Sequence, residues 1–337
     1  MDKLKCAVIG LGRISVMHLD ATEQSDDARL VAVCDVKSDI CNEISEKYKV
    51  RAYTDYKKLI DTEKPDVVHI CLPHYLHVPV SRYAMEAGAN VICEKPMSVN
   101  YEDALGAVKL AKEKNVLYGI IFQCRFNEAS VLVKNAVESG KLGKIISASS
   151  YLTWARPDEY YSDSDWKGTW DKEGGGVLID QAIHSIDLVN WLIDDTVSEI
   201  KCSMFNRNHK TIIVEDTAEG LIKYRNGVTY SFYCMNNFPI DEPIRIELVC
   251  ENGKAVFNYD EAEISYNDGT SERVNAANHT TVKGSKDYWG SKHFAQIQQF
   301  YNACLGKEPL AVSGEDALKT QKLICDIYEK GKKYISL

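Results

Sequence analysis

The sequence lacks the features that mark secreted, membrane-spanning and nucleic-acid-binding proteins. Its 11 cysteines occur singly, without a CxxC pair or a Cys/His cluster, so neither a disulfide framework nor a metal site is expected. No apolar run reaches the ~18 residues of a membrane span, and the first residues read as a strand rather than as a signal peptide. The net charge of -9 argues against nucleic acid or an anionic membrane as a partner. These absences predict a cytoplasmic protein.

The 337 residues are enough for two domains, which differ in their hydrophobic pattern. Over 1–122, six short apolar runs alternate with helical segments, which predicts an α/β Rossmann domain with a parallel sheet. Over 123–337, successive strands between about 197 and 266 predict an α+β domain with a large, mainly antiparallel, open-faced sheet. Two helices, at about 287–305 and 314–330, close the chain, and this interpretation allows them to pack back on the first domain.

A glycine-rich turn, GLGRIS at 10–15, follows the first predicted strand and opens a helix. Gly10 would allow the tight turn, and Gly12 would let a pyrophosphate approach the backbone. The N-terminus of the helix adds free N–H groups and a partial positive charge. A dinucleotide cofactor is therefore expected at Gly10, Gly12, Arg13 and Ile14.

Asp35 ends the second predicted strand, about 20 residues beyond the glycine turn, where the acid that binds an adenosine ribose is expected. A carboxylate there accepts hydrogen bonds from the ribose hydroxyls and repels a 2′-phosphate, so NAD is favoured over NADP. Lys37 is close enough in sequence to weaken that preference. The alternative is that Asp35 is a helix N-cap.

The fifth predicted strand ends in Glu94-Lys95-Pro96. Because ligands bind outside the carboxyl ends of strands in a parallel sheet, Lys95 is placed on the nicotinamide side of the cofactor. An amine there could take the proton of a hydroxyl group, and partial burial beside a positive nicotinamide ring would lower its pKa toward neutrality. The alternative is an ordinary, solvated loop lysine.

The segment 155–172 is too long and too aromatic for a plain turn. Tyr161 and Trp166 present flat rings that suit a sugar, and Arg156 suits a carboxylate or several hydroxyls. The segment therefore predicts a substrate-binding loop. A structural loop that is anchored by its tryptophans is an equally consistent alternative.

Three glycines at 174–176 precede a predicted helix that runs to about Ile193 and is apolar over most of its surface. One stripe of this helix carries polar or aromatic groups: Asp180, His184, Asp187 and Trp191. The i, i+4 spacing lets Asp180 orient His184, and an acid one turn from a histidine favours a functional pair over a satisfied core residue. His293, on the first closing helix, is read either as a substrate contact or as a surface histidine.

These motifs resemble those of the Gfo/Idh/MocA oxidoreductases, the glucose–fructose oxidoreductase and inositol dehydrogenase family. The resemblance covers essentially the whole chain, and the EKP tripeptide with the later D-x-x-x-H is its specific part. The matching pieces are GLGRIS, PHYLH at 73–77, EKP, QCRFN at 123–127, GKLGKI at 140–145 and GGGVLIDQAIHSID at 174–187.

The resemblance implies roles for several residues. It assigns a catalytic set of Lys95, Asp180 and His184, and it implies substrates that are mostly sugars, amino sugars, inositols and their derivatives. It also implies a homo-dimer or homo-tetramer that forms through the second domain's sheet. Further cofactor contacts are expected at Leu72, Pro73, His77 and Glu94, the last at a ribose, and a further substrate contact is expected at Gln123.

The sequence therefore predicts an NAD-dependent dehydrogenase that transfers a hydride between a secondary alcohol and the nicotinamide, with Lys95 as general acid/base. His184 is expected to share or relay the proton. Two alternatives remain open from the sequence. One is a glycosidase that uses NAD for transient oxidation and elimination, and the other is a non-catalytic NAD-sensing regulator.

Overall fold

The computed structural model describes residues 2–258, 260–275 and 292–335. The chain forms two compact units, Met1–Phe122 with Lys292–Gln321 and Gln123–Ser291 with Lys322–Leu337. The segment Lys292–Gln321, which the sequence analysis placed in the second domain unless it packed back, thus belongs to the first unit. Across the described ranges, no helix combines the length and the apolar character needed to cross a bilayer.

The first unit is built on a six-stranded parallel sheet, as predicted. The strands are β1 Leu4–Ile9, β2 Ala28–Cys34, β3 Arg51–Tyr53, β4 Val67–Ile70, β5 Asn90–Cys93 and β6 Tyr118–Ile120. Their order is β3-β2-β1-β4-β5-β6, and every pairing is parallel. The chain winds outward from β1 to β3 and then crosses back to β4. The switch point between β1 and β4 is where such sheets bind their ligands.

Five helices connect these strands: α1 Ser15–Glu23, α2 Ser38–Tyr48, α3 Tyr56–Glu63, α4 His74–Glu86 and α5 Tyr101–Lys114. Helix α4 begins at His74, inside the PHYLH run at 73–77. Pro73 occupies the N-cap position of α4. A proline fits at this end of a helix because its missing N–H would have had no partner there.

The second unit contains a nine-stranded sheet. Its strands are β7 Ile145–Thr153, β8 Val197–Phe205, β9 Thr217–Tyr224, β10 Thr229–Met235, β11 Arg245–Cys250, β12 Gly253–Asn258, β13 Glu261–Tyr266, β14 Ser271–Val274 and β15 Lys332–Tyr334. The order is β14-β13-β12-β11-β7-β10-β9-β8-β15. The sheet is mainly antiparallel, as predicted, but β10 pairs with β7 and β15 pairs with β8 in parallel.

The helices of the second unit are α6 Glu128–Glu138, α7 Asp158–Ser162 and α8 Ile183–Ile193, with a 3-10 helix at Gln123–Phe126 and a π-helical turn at Leu178–Ala182. The helix predicted after the three glycines is present as far as Ile193, but its first part is the π-helical turn. Gly174 and Gly175 have φ values of 89° and 150°, which no helix allows. A Cβ at Gly175 would collide with Tyr328, and one at Gly176 with the Glu215 carbonyl. These glycines therefore permit close backbone packing.

Two helices close the chain, α9 His293–Cys304 and α10 Gly314–Lys330. The first helix was predicted from 287, and its first five positions lie outside the described residues. In the first unit, α9 contributes Ile297, Phe300 and Tyr301 to a core shared with β1, β4 and β5. Burial of a side chain such as Phe300 stabilises the fold by about 1.5–3 kcal/mol. This packing explains why α9 joins the first unit.

Candidate active site

The glycine turn between β1 and α1 has the geometry of a phosphate-binding site. Gly10 has a φ of 91°, and a Cβ there would collide with the Cys71 carbonyl, so only glycine fits. Gly12 is exposed, with open space where a side chain would lie. In the described structure the first turn of α1 carries no acidic residue and no side-chain cap. The amide groups of this helix end therefore fit an anionic pyrophosphate.

Asp35 lies beside that turn, after β2. Its carboxylate accepts hydrogen bonds from the backbone N–H groups of Leu11, at 2.8 Å, and Lys37, at 3.0 Å. The N-cap position of α2 is Lys37 rather than Asp35, so the capping alternative does not describe this residue. The carboxylate stands next to the glycine turn, and its contact with a ribose stays a prediction.

His77 ties together the two loops that follow β4 and β5. Its Nδ1 lies 2.7 Å from the Pro96 carbonyl oxygen, and its Nε2 lies 2.7 Å from the Leu72 carbonyl oxygen. Burial lowers the pKa of His77, and the two carbonyl groups oppose that shift. His77 thus fixes the loop of Leu72 and Pro73 relative to the loop of Lys95. The predicted contact of these residues with a cofactor remains a prediction.

Lys95 is a partly exposed residue between buried neighbours in its loop. It follows β5 at the carboxyl edge of the sheet and is partly exposed, whereas Glu94, Pro96 and Met97 are buried. The Lys95–Pro96 peptide bond is cis. An amine that is partly exposed beside buried neighbours can meet a ligand at this edge, which an idle surface lysine would not do.

Glu94 lies in a buried cluster of histidines. Its Oε1 is 3.0 Å from Nε2 of His18 and 3.3 Å from Nε2 of His293. Burial opposes ionisation of Glu94, but the hydrogen bonds from both histidines outweigh it and hold the pKa of Glu94 well below its ordinary value. His18 continues to His69, with the two Nδ1 atoms 3.0 Å apart. The prediction that Glu94 binds a ribose must therefore accommodate an oxygen that already contacts two imidazoles.

The sequence analysis missed His18 and His69 and misjudged His293. His293 is 6% exposed and faces Glu94, so the surface alternative was wrong. His69 is buried in β4, the DVVHIC run, and His18 is buried on α1. A histidine inside an otherwise apolar strand was the available signal, because such a group needs a buried partner.

The second unit presents Asp180 and His184. Asp180 lies in the π-helical turn and accepts hydrogen bonds from the Tyr160 hydroxyl, at 2.9 Å, and from the Gln181 amide. Asp180 and His184 are partly exposed, although most of the surrounding segment is buried. π-Helical turns occur frequently at functional sites. Both residues are thus accessible within their own unit, and their catalytic roles stay predictions.

Asp187, on the same predicted stripe, has a structural role. Its carboxylate accepts two hydrogen bonds from the Arg125 guanidinium, at 2.8 Å to Nε and 2.6 Å to Nη2. Both residues are buried. This bidentate ion pair links α8 to the 3-10 helix that begins at Gln123, and Gln123 itself is buried. On this stripe Asp180 and His184 are therefore accessible, whereas Asp187 makes a buried structural contact.

Two of the predicted substrate residues contribute to the packing of their unit. Arg156 is 4% exposed and forms an ion pair with Asp241 at 2.9 Å. Tyr161 is 3% exposed, and its hydroxyl accepts a hydrogen bond from the Asn236 amide at 2.7 Å. These contacts favour the structural alternative for both. Trp166 is partly exposed and retains the character expected of a substrate contact.

Glu215 is a buried acid that the sequence analysis did not single out. It accepts hydrogen bonds from the backbone N–H groups of Gly176 and Leu178, both at 3.0 Å, and from the Tyr328 hydroxyl at 2.7 Å. Burial raises the pKa of Glu215 to about 7, against the lowering effect of these donors. Glu215 therefore holds the start of the π-helical turn that carries Asp180. The signal lay in two adjacent acids before β9, Glu215 and Asp216.

Comparison with protein families gives two matches. The model described as "Oxidoreductase family, NAD-binding Rossmann fold" matches residues 4–122. The model described as "GFO/IDH/MocA C-terminal domain" matches residues 131–256. Together they cover most of both units.

Two of the most similar relatives are dehydrogenases. The chain is 26% identical to myo-inositol 2-dehydrogenase of Thermotoga maritima, over 93% of this chain and 92% of that protein. It is 26% identical to D-glucoside 3-dehydrogenase of Escherichia coli, over 98% and 95%. Among solved structures, the WlbA dehydrogenase of Bordetella pertussis in complex with NADH and UDP-GlcNAcA matches with a TM-score of 0.84 and 25% identity, over 98% and 96% of the two chains.

Proposed function

The chain belongs to the Gfo/Idh/MocA oxidoreductase family, and from that premise we propose that it is a dehydrogenase of a sugar, amino sugar or inositol-type polyol. It transfers a hydride between a secondary alcohol of the substrate and the nicotinamide of NAD. The relatives named above, a myo-inositol dehydrogenase and a glucoside dehydrogenase, support this substrate range. The observation that carries the proposal is Lys95, a partly exposed amine at the ligand edge of a nucleotide-binding sheet.

The first unit supplies the cofactor site. Gly10 and Gly12 let the pyrophosphate approach the turn, and the N-terminal amides of α1 bind its oxygens. Asp35 accepts from the adenosine ribose and disfavours a 2′-phosphate, so NAD is preferred. Bound NAD supplies the hydride acceptor in the oxidative direction.

Lys95 acts as the general base of the oxidation and the general acid of the reduction. It takes the proton of the substrate hydroxyl as the hydride leaves the carbon that bears this hydroxyl. In the reduction it returns the proton to the oxygen. A positioned acid/base of this kind contributes ~10²–10⁴-fold in rate. His77 supports the role because its contacts with Pro96 and Leu72 hold the Lys95 loop in a fixed place.

Asp180 and His184 are the second unit's contribution to the proposal. His184 hydrogen-bonds the reacting oxygen or shares its proton, and Asp180 orients the helix turn from which His184 projects. Their partial exposure supports this role. The hydrogen bond from the Tyr160 hydroxyl, which holds the Asp180 carboxylate in place, supports the role as well.

A dimer or tetramer through the second unit's sheet is part of the same proposal. One face of this sheet carries exposed apolar side chains, among them Tyr151, Leu221 and Val249 at 50%, 36% and 38% exposure. Apolar groups in such positions favour an interface. Light scattering of the wild type and of Leu221→Glu tests this point, and a protein that is monomeric at assay concentration contradicts it.

The experiment that tests the function is a substrate panel followed by NADH formation. It includes myo-inositol, other inositols, D-glucosides and UDP-GlcNAcA, each with NAD and with NADP. NADH formation with at least one polyol or sugar, and a preference for NAD, is the expected result. Cleavage of a glucoside that needs NAD but yields no net NADH contradicts the proposal, as does NAD binding without turnover of any member.

A further inference from the structure

A continuous line of buried hydrogen-bonding groups crosses the first unit beneath the Lys95 loop. Thr22 Oγ1 donates to the His18 carbonyl oxygen at 2.8 Å and lies 2.8 Å from the Tyr301 hydroxyl. The Tyr301 hydroxyl lies 2.9 Å from Nε2 of His69. Nδ1 of His69 faces Nδ1 of His18, and Nε2 of His18 faces Glu94. All five side chains are buried.

The direction of each hydrogen bond follows from the first one. A backbone carbonyl only accepts, so the single hydroxyl hydrogen of Thr22 is committed to His18. The Thr22–Tyr301 contact must then use the single hydroxyl hydrogen of Tyr301. Tyr301 therefore has none left for His69, and its oxygen accepts from Nε2–H of His69.

The same count continues through the two imidazoles. Burial and the neighbouring His18 lower the pKa of His69 well below its ordinary value, so His69 is neutral. With its hydrogen on Nε2, His69 accepts at Nδ1, and the hydrogen of the 3.0 Å contact belongs to Nδ1 of His18.

The contact between His18 and Glu94 then requires a further proton. Nδ1 of His18 already carries a hydrogen, so without another proton the Nε2 lone pair would face a carboxylate oxygen at 3.0 Å. Burial lowers the pKa of His18, against the raising effect of Glu94, so it is the direction of the line that requires one proton between the two atoms, on either side. The pair His18–Glu94 then has no net charge, whichever atom carries the proton.

We propose that Thr22, Tyr301, His69 and His18 form a directional relay that fixes one proton at the His18–Glu94 contact and keeps this pair neutral beside Lys95. The relay makes Thr22 a positioning residue for the acid/base chemistry, although it lies at the far end of the line. This inference rests on the proposed function only in its kinetic part.

The other ionisable groups around the pair do not change this count. Nε2 of His293, on α9, lies 3.3 Å from Oε1 of Glu94, and an imidazole can donate a hydrogen bond there without an added proton. Burial raises the pKa of the Cys6 thiol on β1 to about 12. It also raises the pKa values of the thiols of Cys71, after β4, and Cys93, on β5, and of the Tyr301 hydroxyl on α9 well above their ordinary values. These four groups are therefore neutral. Lys95 is the residue that follows Glu94 in the chain.

Removal of the Thr22 hydroxyl allows the hydrogen bonds of the line to reverse their direction. In Thr22→Val, Tyr301 can donate to His69, His69 can donate from Nδ1, and His18 can donate from Nε2 to an ionised Glu94. No extra proton is then needed, and the pair becomes a net negative charge. Thr22→Ser keeps the hydroxyl and is the matched control.

The first test reads the ring nitrogens of isotopically labelled histidine by NMR, in the absence of substrate. His69 is expected to carry its hydrogen on Nε2 in the wild type and in Thr22→Ser, and on Nδ1 in Thr22→Val. Assignment uses His18→Gln and His69→Gln. A wild-type His69 protonated on Nδ1 overturns the relay. If Thr22→Val does not fold, Tyr301→Phe removes the same direction and gives the same readout.

The second test is the pH dependence of kcat/KM for alcohol oxidation. A negative charge beside Lys95 favours its ammonium form, so the rising limb in Thr22→Val moves to higher pH by about one unit. The rate falls roughly tenfold below the midpoint and is unchanged on the plateau. A lowered plateau with an unmoved midpoint indicates a merely structural role and overturns the proposal. If the enzyme turns over no substrate, the proposed function fails while the NMR result still decides the relay.

Discussion

Glu94 and Glu215 are the same residue type, both buried, one in each unit, and their charge states differ. Glu94 faces the nitrogens of two histidines, and its pKa is held well below its ordinary value. Glu215 faces two backbone N–H groups and one tyrosine hydroxyl, and burial raises its pKa to about 7. The three donors at Glu215 are therefore insufficient to offset the desolvation of its carboxylate, whereas the two imidazoles at Glu94 are sufficient.

The difference matters for what each acid can do. Glu94 is an ionic anchor whose charge is compensated within the first unit, so it can stand next to a lysine without holding a net charge there. Glu215 titrates near neutrality and supports the backbone of the π-helical turn. The effect of removing either carboxylate should follow from its partner rather than from its burial.

Glu94→Ala is expected to have the largest effect on stability. It leaves Nε2 of the buried His18 without its partner, and removal of one member of a buried pair costs ~3–5 kcal/mol. Urea unfolding at neutral pH measures the loss. Glu94→Gln is the matched control, because its amide can donate to Nε2 of His18 and should cost much less. An alanine variant as stable as the wild type contradicts the account of Glu94.

Glu215→Gln should change how stability depends on pH. Because the folded-state pKa is raised from 4.5 to about 7, the folded protein binds the proton more tightly, and stability falls as pH rises between these values. The loss amounts to about 3 kcal/mol above the folded pKa. Gln mimics the protonated acid, so the variant should keep its stability across this range. Equal slopes for the variant and the wild type would rule out a titrating Glu215.

Asp35→Ala extends the comparison to a partly exposed acid that is held by backbone N–H groups. Loss of hydrogen bonds from the ribose to a charged group should weaken NAD binding by about 1.5 kcal/mol, roughly tenfold, with a smaller effect on NADP. Titration calorimetry with both cofactors measures the change. A larger loss of NADP than of NAD affinity contradicts the cofactor assignment.

Glu199 is the smallest case, an exposed acid with cationic partners. Lys201 and Lys223, each at 2.8 Å, lower the pKa of Glu199 to about 2. Solvent screens such surface pairs, so Glu199→Gln should leave the thermal midpoint unchanged within error. A clear drop in the midpoint would mean that a cationic partner alone, without burial, is enough to stabilise the fold.

Local features of the sequence were sufficient to predict the parallel sheet, the glycine turn and the position of Lys95. Each of these features depends on residues that are neighbours in the chain. One example is the apolar run that is followed directly by Gly10. The need for Gly175 and Gly176 was not predictable in the same way. These glycines are required by Tyr328 and Glu215, which approach them only in the fold.

The buried histidine cluster also depends on distant residues. Thr22 and Tyr301 are 279 positions apart, and they meet because α9 returns to the first sheet. No local spacing signals that return. The edge strands β14 and β15 were missed for another reason, since their short, exposed sequences carry no hydrophobic alternation.

The most direct test of the central claim is chemical rescue of Lys95→Ala. The account predicts that NADH formation falls by ~10²–10⁴-fold while NAD affinity is retained, and that an added alkylamine restores part of the rate. Lys109→Ala, an exposed lysine on α5, is the matched control and should turn over like the wild type. A Lys95→Ala enzyme that oxidises its alcohol at the wild-type rate would contradict the account.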